Sequence, residues 1–377
     1  MNILIAGDFC DNSRVTEILR KREFGSLFDR VKEKIESADF SIVNFEFPVV
    51  LQDGLPILKC GPNLKGQKCA VDAIRYVGFN VFTLANNHIL DQGEQCCLDT
   101  KKLLEDSGAK TVGAGGSLSE ASSVLYLEKD KETVAIINCC EHEFSIATHN
   151  SAGSNPLNPI QQYYKIKEAR EKADYIVVIV HGGHEHYQLP SPRMKEIYRF
   201  FIDAGADAVI NHHQHCFSGY EIYKGKPIFY GLGNFLFDWE GKVDSIWNEG
   251  YMVTLSFDKE RKVEYNLIPY NQCSLEPTVR LLNEQEIKIF NEKMEDLNKI
   301  IADDAKLTAE HKKWMNNNNK GYLLLFQPYF GRIASALYTR NLLPSFMNKS
   351  KKFRILNYIN CEAHLDRLRY AIQNMKN

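Results

Sequence analysis

The chain has 377 residues, 44% hydrophobic and 25% charged, with a formal net charge of −2. That mixture excludes a disordered, collagen-like or knottin-like chain and allows a sizeable core, divided between one large domain and a smaller appendage or between two domains. No apolar run approaches the roughly 20 residues that span a bilayer, and the N-terminus enters an apolar stretch without a basic segment or cleavage site. The expectation is a cytoplasmic chain that is not exported.

Short apolar, β-branched runs recur at 2–6, 40–44, 80–84, 133–138, 175–180, 207–210 and 227–230. Between them, helical spacing predicts helices at 27–38, 71–77, 94–106, 160–173 and 191–204. Continuous apolar strands alternating with amphipathic helices give an α/β layered domain whose sheet is covered on both faces. Its last piece, 250–269, reads as a hairpin, with a polar turn at 258–262 between two alternating strands. The domain ends near Cys273, which divides the chain into 1–273 and a mainly helical extension, 274–377. Within the extension, Ile287, Phe290, Met294, Leu297 and Ile301 mark one long amphipathic helix, capped by Asn283 and Glu286. Residues 320–377 hold ten Lys/Arg against two Asp/Glu, which leaves −10 for residues 1–319. No nucleic-acid-binding module accompanies that charge, so no nucleic acid is expected as a partner. The ten cysteines include no Cys-x-x-Cys and read as reduced, mostly buried thiols.

The residues suited to metal chemistry fall just past the ends of the predicted strands. Asp8 follows the first, Glu46 the second, Asn86-Asn87-His88 the third, Glu141-His142 the fourth, His181 the fifth and His212-His213-x-His215 the sixth. In open α/β sheets that edge is where ligands bind, so residues 200 positions apart can meet there. Six of the eleven histidines lie between 181 and 215. Carboxylates, amides and neutral imidazoles suit Mn, Fe or Zn, and two such ions sharing a carboxylate point to hydrolysis. Several neighbours read as structural: Asn86 as a turn residue, Glu141 and His142 as ordinary loop positions, and the 113–116 glycine run as a flexible turn.

The ordered set Gly7-Asp8, Asn44-Phe45-Glu46-Phe47-Pro48, Asn86-Asn87-His88-Ile89-Leu90-Asp91, His181-Gly182-Gly183-His184-Glu185 and His212-His213-Gln214-His215, followed by the 225–235 segment ending Gly233-Asn234-Phe235, resembles the CapA-type capsule-synthesis family. The resemblance covers about the first 270 residues. It implies a calcineurin-like metallophosphoesterase fold and a role in capsule or poly-γ-glutamate biosynthesis. It further implies Asp8, Glu46, Asn87, His181, His213 and His215 as ligands of two divalent ions, with Glu46 bridging. His88 would face the substrate as proton donor or charge stabiliser, and Asp91 would orient it. Glu185 and His212 would line the substrate pocket. The chain departs from the common Asp-x-His first motif, having Asp8-Phe9-Cys10, so one metal position is either thin in ligands or uses Cys10.

The expectation is therefore a metal-dependent hydrolase acting on a small-molecule or polymer substrate. The alternative is a non-catalytic scaffold of a surface-polymer synthesis complex. For 320–377 a helical cap packed on the catalytic domain is the favoured reading, ahead of contact with capsule machinery or with the inner face of the membrane.

Overall fold

In the computed structural model, which describes residues 1–257 and 262–375, the strand Asn2–Phe9 already separates two cores. Ile3 and Ile5 enter one, Leu4 and Ala6 the other, because successive side chains of a strand point to opposite faces. The sheet containing it has nine strands. Their order is Phe28–Asp29, Val279–Leu281, Val263–Gln272, Glu249–Phe257, Asn2–Phe9, Phe40–Phe45, Val81–Thr83 and Lys110–Val112, with Asn234–Leu236 pairing with Asn2–Phe9 off this path. A second sheet of six runs Tyr220–Tyr223, Lys226–Phe229, Ala208–His212, Tyr175–His181, Glu132–Cys140 and Leu125–Lys129.

Ile3, Ile5, Ile42 and Val81 of the first sheet meet Ile136, Val177, Ile179 and Ile210 of the second in a common apolar layer. The outer face of the first sheet, through Leu4, Val43 and Phe45, packs on Val15, Leu19, Ile35, Ile74 and Leu104 of four helices, Ser13–Lys21, Val31–Glu36, Lys68–Tyr76 and Glu94–Asp106. Helices Pro159–Arg170 and Pro192–Ala204 cover the second sheet. The result is a helix–sheet–sheet–helix stack, the layered α/β architecture expected, with two stacked large sheets among the described residues where the strand count alone suggested one. The parallel strands read as unbroken apolar runs because both of their faces are buried.

The expected helix at 27–38 is shorter. A 3-10 turn, Phe24–Leu27, and the strand Phe28–Asp29 precede Arg30, whose φ of 59° breaks the helical path before Val31–Glu36 begins. Phe28 pairs with Val279, a partner no local periodicity can anticipate. The hairpin strands are Glu249–Phe257 and Val263–Gln272; apart from Lys262, the polar turn expected between them lies outside the described residues. Helix Glu284–Ala302 starts as expected, with Asn283 Oδ1 accepting from the Glu286 backbone N–H (3.0 Å) and Glu286 Oε2 accepting from that of Asn283 (2.8 Å). Its Phe290 and Met294 join the layer between the sheets.

The chain forms two compact units, Met1–Thr308 and Ala309–Asn377. The second is helical, with helices Lys320–Leu324, Gly331–Thr339, Lys349–Asn360 and Glu362–Gln373. Among the described residues no helix is long and apolar enough to cross a membrane.

Candidate metal centre

Strand register gathers the polar residues at one edge of both sheets. Asp8 stands beside Asn44 on one side and Asn234 on the other, and His181 beside His212. The Asp8 backbone N–H donates to Gly233 O (3.3 Å), and a Cβ on Gly7 would fall 1.7 Å from that same oxygen. Only glycine permits so close an approach, which is why Gly7 precedes Asp8.

Two groups of ligand atoms result, Glu46 with His181 and His213, and Asp8 with Glu46 and His215. Glu46 belongs to both. Around His181 Nε2 lie Asn87 Oδ1 at 3.0 Å, His213 Nδ1 at 3.1 Å and Glu46 Oε1 at 3.6 Å. One imidazole nitrogen can give a single proton to a single neighbour, whereas a cation at this point satisfies every one of these lone pairs. Glu46 Oε1 and both ring nitrogens of His212 are buried without a hydrogen-bond partner, which also fits a site built for an ion. His215 is oriented from behind. Asn234 donates through Nδ2 to His215 O and Trp247 O (3.3 Å each), so its Oδ1, 2.8 Å from His215 Nδ1, accepts that ring proton. His215 Nε2 is then a lone pair facing Glu46 Oε1 at 3.8 Å.

Burial raises the Asp8 carboxyl against the pull of His215 and the Asn44 hydrogen bond. Burial, with Asp8 and Glu185 nearby, raises Glu46 well above the usual range. Burial also drives His181 well down, and His212 and His215 down to about 3. No Lys or Arg among the described residues pairs with Asp8 or Glu46. His181, His212 and His215 are therefore neutral imidazoles, the ligating form, and the Asp8 and Glu46 carboxyls have no Lys or Arg to balance their charge once ionised. The backbone is strained at the same place: His213 and His215 have φ of 92° and 54°, in the region that β-carbon-bearing residues avoid.

His88 stands beside this cluster. Its Nδ1 is 2.6 Å from Asp91 Oδ2, and Asp91 also accepts from the Leu64 backbone N–H (2.6 Å) and from Lys59 Nζ (2.5 Å). Lys59 Nζ lies 3.1 Å from His88 Nδ1 as well. With Nδ1 so engaged, Nε2 is the ring nitrogen left to act elsewhere. His88 and His215 both line a cavity of about 250 Å³, walled by Phe237, Trp239 and Trp247, with Lys242 and Glu185 also on it.

The structure brings Asp8, Glu46, Asn87, His181, His213 and His215 together and places His88 with Asp91 next to them. Glu185 is exposed and lines the cavity, whereas His212 does not; its ring is buried 3.7 Å from Asp8 Oδ1. Cys10 is a core residue whose thiol is pushed well up by burial and by nearby carboxylates, and it joins neither ligand group. Glu141 anchors the turn after strand Tyr175–His181, accepting from the Gly183 N–H at 2.9 Å and pairing with Arg193. Sequence reasoning missed Lys59 and the tryptophans. Lys59 sits in an irregular segment with no motif, and Trp239 and Trp247 resemble ordinary core residues. Asn234, by contrast, lay inside a motif already singled out.

The family model described as bacterial capsule synthesis protein PGA_cap matches residues 2–239. The chain belongs to this family. The capsule biosynthesis protein CapA of Bacillus anthracis is 32% identical over 255 residues, covering 65% of this chain and 62% of that protein. The PGA biosynthesis protein CapA of Bacillus subtilis is 32% identical over 235 residues, covering 62% of each. The chain thus spans under two thirds of the length of these curated relatives. A crystal structure described as a novel phosphatase from Mycoplasma pneumoniae aligns with a TM-score of 0.43 at 15% identity, covering 77% of this chain and 98% of that one.

Proposed function

We propose that this PGA_cap-family chain is a metal-dependent hydrolase of phosphoester or amide bonds, serving capsule or poly-γ-glutamate metabolism. The observation that carries the reading is the sharing of Glu46 between two buried ligand groups next to a histidine that faces a cavity. Asp8, Glu46, Asn87, His181, His213 and His215 would hold two divalent ions of the Mn, Fe or Zn type. Ions held there supply Lewis acidity and activate water near neutral pH.

The remaining work falls to the chain's own side chains. Asp91 fixes the His88 ring through Nδ1, so Nε2 handles the proton at the substrate oxygen or nitrogen that leaves. Asn234 aims His215, and the aromatic wall of the cavity keeps bulk water from the bond being cut. The free thiols fit a reducing compartment. The basic 320–377 segment supports a contact with capsule machinery or with the inner face of a membrane in the same setting.

The test is hydrolysis of p-nitrophenyl phosphate, bis-p-nitrophenyl phosphate and γ-glutamyl-p-nitroanilide by metal-loaded and metal-stripped protein. Turnover of at least one, lost on stripping and in Glu46→Gln, is expected. Failure of the fully metal-loaded protein on every phosphoester and amide supplied would contradict the reading and favour the non-catalytic assembly component.

A further inference from the structure

The cavity over the metal centre has a composition that speaks to its substrate. Trp247 meets Phe237 and Trp239 edge-on and Phe237 lies tilted against Trp239, with ring centroids 5.1–6.0 Å apart. Trp247 is buried, its ring tilted against that of His215 with centroids 4.8 Å apart, whereas Trp239 is only half-buried and lines the cavity. The loop carrying them is held in place. Trp247 Nε1 donates to Phe237 O (2.7 Å), Gln272 Nε2 to Trp247 O (2.8 Å), and Asn248 Nδ2 to Lys242 O (3.1 Å).

Charge is sparse by comparison. Among the described residues lining the cavity, Lys242 is the one Lys or Arg, with its ammonium 5.7 Å from the Trp247 ring centroid, and Glu185 opposes it. A chain of carboxylates finds no row of cations to follow here.

We propose that this cavity is a binding site for an aromatic ring. The substrate class is then a small ester whose ring packs on Trp239 while its single anionic group lies at His88 and His215. Aromatic pairs prefer offset or edge-on contacts at the spacings already present in the wall, and stacking on an indole adds to the area buried. The inference rests on reading the cluster as a metal site, but it makes a separate claim about what the adjoining cavity takes.

The experiment is calorimetric titration of the Mn-loaded full chain with phenylphosphonate and methylphosphonate, with Mn content measured on each sample. The expected result is phenylphosphonate binding about tenfold more tightly, ~1.4 kcal/mol, an advantage lost in Trp239→Ala and largely kept in Trp239→Phe. In a Trp314→Phe background the two remaining tryptophans are those of the cavity, so phenylphosphonate should also quench the intrinsic fluorescence. Equal affinities in a Mn-containing sample would overturn the ring site and leave the hydrolase reading standing. If no Mn is taken up, the hydrolase reading fails first; phenylphosphonate binding that depends on Trp239 would still support the ring site, and its absence would overturn it.

Discussion

Lys59 Nζ lies 2.5 Å from Asp91 Oδ1, and neither side chain reaches solvent, at 2% and 0% exposure. A buried pair of this kind carries a large penalty when one partner is removed, because the other charge is left unmatched. Here the unmatched group would be the carboxylate that holds His88.

Lys59→Met is therefore expected to destabilise the protein by about 3 kcal/mol and to reduce hydrolysis. Lys59→Met/Asp91→Leu should recover part of the stability without recovering activity. Chemical denaturation of the three proteins, with turnover measured in parallel, checks both. Wild-type stability in Lys59→Met would show that the pair contributes little.

Asn234 touches no candidate ion, yet its Oδ1 fixes the His215 ring. Removing such an orienting partner typically lowers metal affinity by about 10–100-fold. Asn234→Ala should fall in that range by competition with a chelating indicator, whereas Asn234→Asp, which keeps an acceptor, should lose less.

The backbone at His213 yields a prediction of unusual sign. At φ 92° a β-carbon is strained, so His213→Gly should be more stable than His213→Ala by about 1 kcal/mol, the reverse of the order in a helix or strand. Thermal unfolding of the two metal-free variants decides it. Alanine equal to or above glycine would mean that the backbone relaxes.

Asp8 and Glu46 are raised above their ordinary values of 3.8 and 4.5. In metal-free protein their contribution to stability is full below those values and is lost as pH rises through the raised ones. His212 and His215, lowered from 6.5 to about 3, contribute above pH 6.5 and lose that contribution as pH falls toward 3. Because a bound ion displaces carboxyl protons, affinity should tighten with pH by about tenfold per unit for each proton released. Between pH 5 and 8, where His181, His212 and His215 are already neutral, the metal-induced rise in Tm should grow with pH. A rise that shrinks with pH would contradict the assigned directions.

Much of the layered fold was legible because buried parallel strands announce themselves as unbroken apolar runs, as Tyr175–His181 does. The edge strand Phe28–Asp29 was not, since it exists only through Val279. At the site, Asp8, Glu46 and His181 could be named because polar residues directly after apolar strands are conspicuous. Their placement after strands already implied one shared edge, whereas which of them stand side by side depends on strand register. Lys59 was invisible for a further reason: an irregular segment has no period to read, and long-range hydrogen bonds, among them those from Ile57 N and Leu64 N to Asp91, bring that segment over His88.

Whether the cluster around Glu46 is a metal centre is open to direct measurement. Elemental analysis of protein purified without chelators or a metal-binding tag, beside the His213→Ala/His215→Ala variant, tests it most directly. About two equivalents of Mn, Fe or Zn are expected in the parent, and their loss in the variant. A folded parent that takes up no metal even after reconstitution would contradict it.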